Sequence, residues 1–206
     1  MKIITHKKLL QITLLFFSIM IFVSPLYAAN DEKEQMADFL NKFTEQHIYH
    51  LVANDLKTDE MISFSIFYHW FNSSIYTEEA GKADSIDVIV NGDGDKELFL
   101  GGQYVKDTIK RFFDKEIELI SLNDFPFDGT KYNLGPEGFM GDSGTPPVIV
   151  VTNASERADG NIQVKGYWET IDDSPKKLSA EAILKPHKTN GQTTWSIVSL
   201  DVQEDS

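Results

Sequence analysis

PVIVVTNA (147–154), NIQVKGYWET (161–170), LSAEAILKPH (178–187) and TWSIVSLDV (194–202) follow one another through the last quarter of the chain, each a short run that reads as a strand. The segments between them, ERADG, DDSPKK and KTNGQTT, carry the Gly, Pro, Asn and Asp whose backbone preferences suit turns. Four such runs read as an antiparallel meander. Ile162, Val164, Gly166 and Trp168 share one face of their strand, and Leu178, Ala180, Ala182 and Leu184 share one face of the next. In the last strand Trp195 and Ile197 give way to Val198, Leu200 and Val202, a change of phase that predicts a bulge or a strand apolar on both sides. Asn190-Gly191 is the strongest hairpin-turn signal, and Asp159-Gly160 comes next.

A meander with one apolar face needs helices laid across it, and the upstream sequence supplies them. After a polar start at Asn30 to Glu34, Met36, Phe39, Leu40, Phe43, His47 and Leu51 recur at helical spacing, predicting a helix from Asp31 to about His50. Beyond a polar break at Asn54 to Asp59, the segment 59–72 places Met61, Phe64, Phe67, Tyr68 and Phe71 on one helical face and Ile62, Ile66 and Trp70 around the rest. A helix apolar nearly all round is a buried one. The alternation of Ile62, Phe64, Ile66, Tyr68 and Trp70 would also suit a strand, but Thr58-Asp59-Glu60 offers a capping hydroxyl followed by two acids and favours the helix.

Next, Ile86, Val88 and Val90 alternate, NGDGD turns the chain and Glu97 to Leu100 resumes apolar character, which reads as a hairpin ended by Gly101-Gly102. A third helix keeps Val105, Ile109, Phe112, Phe113, Ile117 and Ile120 on one stripe, with Lys106, Lys110, Arg111, Lys115 and Glu118 on the wet side. Asn123 to Pro147 holds five glycines and four prolines and is expected to be irregular, with Phe125, Phe127, Tyr132 and Phe139 packing it down. The fold class is therefore α+β: N-terminal helices packed on a curved antiparallel sheet whose last four strands form the meander.

Residues 1–28 read as a signal peptide. Lys2, Lys7 and Lys8 form a positive start, Leu9 to Val23 an apolar core, Pro25 a helix break, and cleavage is expected at Ala28 or Ala29. Left uncut, Leu9 to Ala29 would be just long enough to serve as a membrane anchor. Removing 28 of 206 residues leaves 178, the size of one α+β domain spanning 29–206. The leader holds three of the 19 Lys+Arg and none of the 32 Asp+Glu, so the remainder carries a formal charge of −16. Such a field repels phosphate backbones and anionic membranes, which disfavours nucleic acid and membrane insertion and favours a basic envelope or secreted protein as partner. Plain solubility accounts for the acidity equally well. With no cysteine in the chain, thiol chemistry, zinc–cysteine sites and disulfides are excluded, and stability must come from packing of 14 Phe, 7 Tyr and 3 Trp.

The chemical signals are few. NGDGD invites a calcium reading, yet alignment on Asn91, Asp93 and Asp95 puts Lys96 where a calcium loop needs Gly, and a plain turn explains it better. His47 and His50 sit three apart near an apolar stripe, a spacing that could hold a metal, but a partly buried, hydrogen-bonded histidine is the commoner outcome. His69 falls on the least apolar side of its helix and His187 in a turn. Gly141-Asp142-Ser143-Gly144 is a glycine-rich turn, not a nucleophile elbow. Asn72-Ser73-Ser74 and Asn153-Ala154-Ser155 match the glycosylation pattern by chance and read as polar turns. No catalytic or metal residue, and no cofactor, is assigned. The aromatic set Phe67, Tyr68, Trp70, Phe71, Tyr104, Tyr167, Trp168 and Trp195 is mostly core, from which Phe67, Trp70, Phe71 and Trp168 are the candidate lining of a pocket between helix and sheet.

The polar turn, Trp and alternating apolar residues of GQTTWSIVSLDV (191–202), together with DGTKYNL (128–134), resemble the closing strand and middle segment of nuclear transport factor 2-like (cystatin-like) α+β domains. The order of elements is also similar to that of small exported bacterial proteins of unknown function and of secreted inhibitors of cell-wall hydrolases. The resemblance spans about Leu98 to Val202 and rests on pattern. That superfamily includes enzymes, ligand-binding modules and immunity proteins, so the fold assigns no activity. The leader, the acidity and the lack of a catalytic constellation favour a periplasmic or cell-surface binding module of inhibitor or immunity type. Asp128, Tyr132, Glu137 and Asp142 of the long loop are its candidate partner-binding residues. The alternative is a small-ligand or enzymatic domain with a pocket between the second helix and the meander.

Overall fold

A computed structural model of the chain describes residues 31–73, 85–90, 92–136, 148–169, 177–189 and 192–204. The leader, with Ala28 and Ala29, lies outside the described residues, as do Glu137, Asp142 and the Asn190-Gly191 turn. In chain order the elements are helix α1 (31–44), strand β1 (His50–Val52), helix α2 (Thr58–Phe71), strands β2 (Ile86–Val90) and β3 (Lys96–Gly101), helix α3 (Gly102–Phe113), and strands β4 (Lys131–Pro136), β5 (Val148–Glu156), β6 (Ile162–Glu169), β7 (Lys177–Thr189) and β8 (Gln192–Glu204). The architecture is α+β, with the helices on antiparallel sheets. One sheet has the order β1-β8-β7-β6-β5, and its last four strands are the meander; the other has the order β2-β3-β4.

The phase change in the last strand is a bulge. Ile183 pairs with Ser199 and Leu184 with Ile197, so Val198 is the extra residue, and its carbonyl accepts the Ala53 N–H at 2.9 Å. Trp195 and Ile197 before it, and Leu200 and Val202 after it, can therefore all be buried. A second bulge lies in β5 between Val151 and Asn153, opposite Gly166, where a Cβ would meet the Val150 carbonyl oxygen at 2.2 Å. Only glycine fits there. Asp159-Gly160 turns the chain as expected, Gly160 taking φ +78° and the Arg157 N–H donating to Asn161 O at 2.8 Å.

The helices meet the meander through aromatic rings. Phe39 of α1 stacks on Phe112 of α3 at 5.2 Å and meets Trp195 edge-on at 6.3 Å; Phe43 lies 4.9 Å from Phe64 of α2 and 5.7 Å from Phe112. Phe43 and Phe112 are fully buried, and truncating either to Ala would cost about 3–5 kcal/mol. Helix α2 buries residues on nearly every side (Met61, Ile62, Phe64, Ser65, Ile66, Trp70), as its all-round apolar character requires, and Ser65 satisfies its hydroxyl on Met61 O at 3.0 Å.

Several boundaries differ from the sequence reading. Helix α1 stops at residue 44, and His50 begins a strand. The reason is a C-terminal cap: Ile48 N–H donates to Phe43 O at 3.1 Å and His47 N–H to Thr44 O at 2.9 Å, with His47 left-handed at φ 56°. Helix α3 ends at Phe113, so Ile117 and Ile120 do not extend its stripe. Asp114 is left-handed at φ 52° and its carboxylate takes Lys110 at 3.0 Å and Lys185 of β7 at 2.6 Å, which turns the chain away from the helix axis. Thr58 does not cap α2. Lys57 occupies that position, and Glu60 accepts the Lys57 N–H at 2.7 Å.

Part of the segment expected to be irregular is strand β4, whose partner β3 could not be read from local pattern. His187 lies in β7 opposite Thr194, not in a turn. Beyond Leu184 no β6 residue pairs with β7, so Pro186, lacking an N–H, removes no bond to that neighbour.

Candidate functional site: a cleft between the first strand and the second helix

The cap on α1 throws residues 45–49 outward before β1 joins the sheet at β8, and α2 then runs back past them. Between the two passes lies a cleft of about 750 Å³. One wall is Phe64, Phe67, Trp70 and Phe71 of α2, which follow one another at helical spacing. The facing wall is Ile48, Leu51 and Leu56, and Phe113 at the end of α3 closes the floor. Phe64 and Trp70 are themselves buried, and the half-buried Phe67 and Phe71 are what a helix apolar on all sides leaves beside the cleft.

The rim is polar and acidic. Asp59 and Glu60 stand at the start of α2, with Glu45, His47 and His50 across from them. Glu45 is also within reach of Lys42 at 2.8 Å and Glu60 accepts from the Lys57 amide, whereas Asp59 has no ion-pair partner among the described residues. His50 Nδ1 lies 2.6 Å from Asp201 Oδ1 of β8, directly opposite in the sheet, and His47 Nδ1 lies 2.9 Å from the Tyr49 hydroxyl. An apolar trough with an acidic rim suits a ligand that has an apolar body and positive charge.

Of the sequence candidates, the structure brings Phe67, Trp70 and Phe71 together on this wall. Trp168 is elsewhere: buried in β6, its ring 4.2 Å from that of Tyr49, it is not part of the cleft lining. Between helices and meander the space is filled by Phe39, Phe43, Phe112 and Trp195, so the cleft opens toward residues 45–56 instead.

The loop candidates also separate. Asp128 is exposed and accepts from the Lys131 N–H (2.9 Å), the Thr130 hydroxyl (2.7 Å) and the Thr130 N–H (2.8 Å); these bonds, the Lys131 amide first, hold its carboxyl down at about 2. That side chain shapes a turn. Tyr132 is fully buried in β4, its ring tilted against that of Phe127 at 4.6 Å, and its hydroxyl donates to Ile120 O at 2.9 Å; burial pushes it up to about 12.

His69 is built into the fold. Its Nδ1 lies 2.8 Å from Ser85 Oγ, and its Nε2 lies 2.8 Å from Thr108 Oγ1 and 3.3 Å from Tyr104 O. A carbonyl only accepts, so Nε2 carries the proton and Nδ1 receives the Ser85 hydroxyl. Burial lowers its pKa, against the smaller raising effects of the Tyr104 carbonyl and Asp107. Among the described residues no group of three His, Asp or Glu is placed to hold a metal ion, and no helix is long and apolar enough to cross a membrane.

Glu45, Leu56, Asp59 and the His50–Asp201 pair are the features that sequence reading did not assign to a site. Asp59 and Glu60 were legible only as a helix start, and nothing local announces that residues 45–51 lie across from them. No protein-family model, no curated protein and no solved structure matches this chain.

Proposed function

We propose that this chain is an exported binding module that recognises a basic protein, and that the cleft between β1 and α2 is where it does so. The observation that carries the reading is the combination at one place of a four-residue aromatic and apolar wall (Phe64, Phe67, Trp70, Phe71) with Glu45, Asp59 and Glu60 at its rim. The formal charge of −13 for the whole chain, more negative once a basic leader is removed, adds long-range attraction for a cationic partner and speeds encounter. An inhibitor or immunity role fits a protein of this kind.

The test is affinity capture from secreted and envelope fractions with wild type and with the Glu45→Lys/Asp59→Lys double variant, at low and physiological salt. The reading predicts capture of a basic protein by wild type that the variant loses. Capture indifferent to the variant, or none at low salt, contradicts it. The same cleft supports a second reading, a small-ligand site, because its volume falls within the roughly 300–1,000 Å³ of small-molecule pockets. Thermal stabilisation of the protein by small aromatic or quaternary ammonium cations, lost in Asp59→Lys, would favour that reading.

A further inference from the structure

Strand β1 is the edge of the five-stranded sheet, and it borders the cleft through His50 and Leu51. Its pairing with β8 fixes which backbone groups look outward. Val202 N–H donates to Tyr49 O at 3.0 Å and Ala53 N–H to Val198 O at 2.9 Å, bracketing the pair Leu51–Leu200. In an antiparallel ladder that places the N–H and C=O of Leu51 toward β8 and those of His50 and Val52 away from it. Val52 O is occupied by the Asp55 N–H at 3.0 Å. The His50 N–H, the His50 carbonyl and the Val52 N–H are left facing outward, with no partner among the described residues. Val52 is itself 50% exposed.

Resting on the reading of the cleft as a basic-partner site, we infer that the partner is bound as an extended segment added to the sheet beside β1. Its backbone pairs with His50 and Val52, its apolar side chains at alternate positions enter the cleft against Phe67 and Phe71, and its Lys or Arg side chains meet Glu45 and Asp59. An added strand supplies main-chain hydrogen bonds for affinity, while alternation of its side chains supplies selectivity. The free edge explains why so short a strand can matter: β1 needs little length of its own, because β8 supports it along all three residues. A segment alternating cationic and apolar residues is the chemistry that satisfies wall, rim and edge together.

The probe is a fluorescein-labelled seven-residue peptide of alternating lysine and leucine, with blocked ends, followed by anisotropy at low salt. Two N-methylated versions carry methyl groups on one or the other alternate set of amides. Val52→Pro is the matching protein variant; it removes an N–H that the β1–β8 ladder does not use, at an edge position where proline is tolerated. Binding is expected to fall at least about 10-fold with Val52→Pro and with one methylated set, and to stay within about 2-fold with the other, the scale of lost main-chain bonds. Binding that Asp59→Lys weakens but that ignores Val52→Pro and both methylation patterns overturns the added strand and leaves the cleft reading intact. No binding of the unmodified peptide overturns both.

Discussion

His50 Nδ1 and Asp201 Oδ1 approach to 2.6 Å across the first pair of residues joining β1 to β8. The pair sits where the edge of the sheet becomes the rim of the cleft. Both side chains are well exposed, at 68% and 48%, so solvent screens the attraction. A double-mutant cycle with His50→Ala and Asp201→Ala, read by urea unfolding, is expected to give a coupling below about 1 kcal/mol. A coupling above about 2 kcal/mol would show that the pair holds β1 in place.

His69 gives a dependence on pH. Its folded pKa is lowered, chiefly by burial, so the unfolded chain binds the proton more readily. Its contribution is therefore complete above the unfolded value near 6.5 and is lost as pH falls below that toward the folded value. Urea melts from neutral pH to mildly acidic pH should show His69→Gln losing less stability than wild type. Equal losses in the two proteins would contradict the assignment.

At Gly166 the prediction is steric. A methyl group there meets backbone, the Val150 carbonyl, which cannot rotate aside as a flexible side chain would. Gly166→Ala should destabilise by about 2–4 kcal/mol in chemical denaturation, while Gly160→Ala, at a turn with open space, should cost about 1 kcal/mol through its positive φ alone.

The meander was legible because its strands are consecutive: turn residues, alternation and the phase change at Val198 are all local signals, and each has its counterpart in the register. Helix α2 was legible for the same reason. Where local pattern failed, a distant residue decided. Helix α3 would run to Ile120 on its stripe alone, but Asp114 is held by Lys185, 71 residues away. β4 was unreadable because its partner β3 lies beyond an intervening helix, and its core residue Tyr132 looks like a loop aromatic in a glycine-rich stretch. The cleft was half visible. Phe67, Trp70 and Phe71 could be named from one helix, but the opposing wall depends on the cap that ends α1 at residue 44, and a histidine at the capping position does not announce a turn as glycine would.

That histidine makes a further prediction. His47 adopts φ 56°, where a residue with a Cβ pays roughly 1–2 kcal/mol that glycine does not. Allowing for the greater freedom of glycine in the unfolded chain and the lost bond to Tyr49, His47→Gly should leave stability unchanged or raise it by up to about 1 kcal/mol in a thermal or urea melt. If the strained position is kept for its side chain at the cleft rim, the same variant should bind the lysine–leucine peptide more weakly than wild type. A destabilisation beyond about 1 kcal/mol would refute the capping account.

Binding at the cleft between β1 and α2 is read residue by residue by amide chemical-shift mapping. Titrating the lysine–leucine peptide into the isotopically labelled protein should move the amides of Ile48 to Val52 and of Ser63 to Phe71, together with the Trp70 indole resonance, and leave β5 to β7 unchanged. Shifts confined to the meander or to the turn at Asp128, with the cleft amides still, would contradict it.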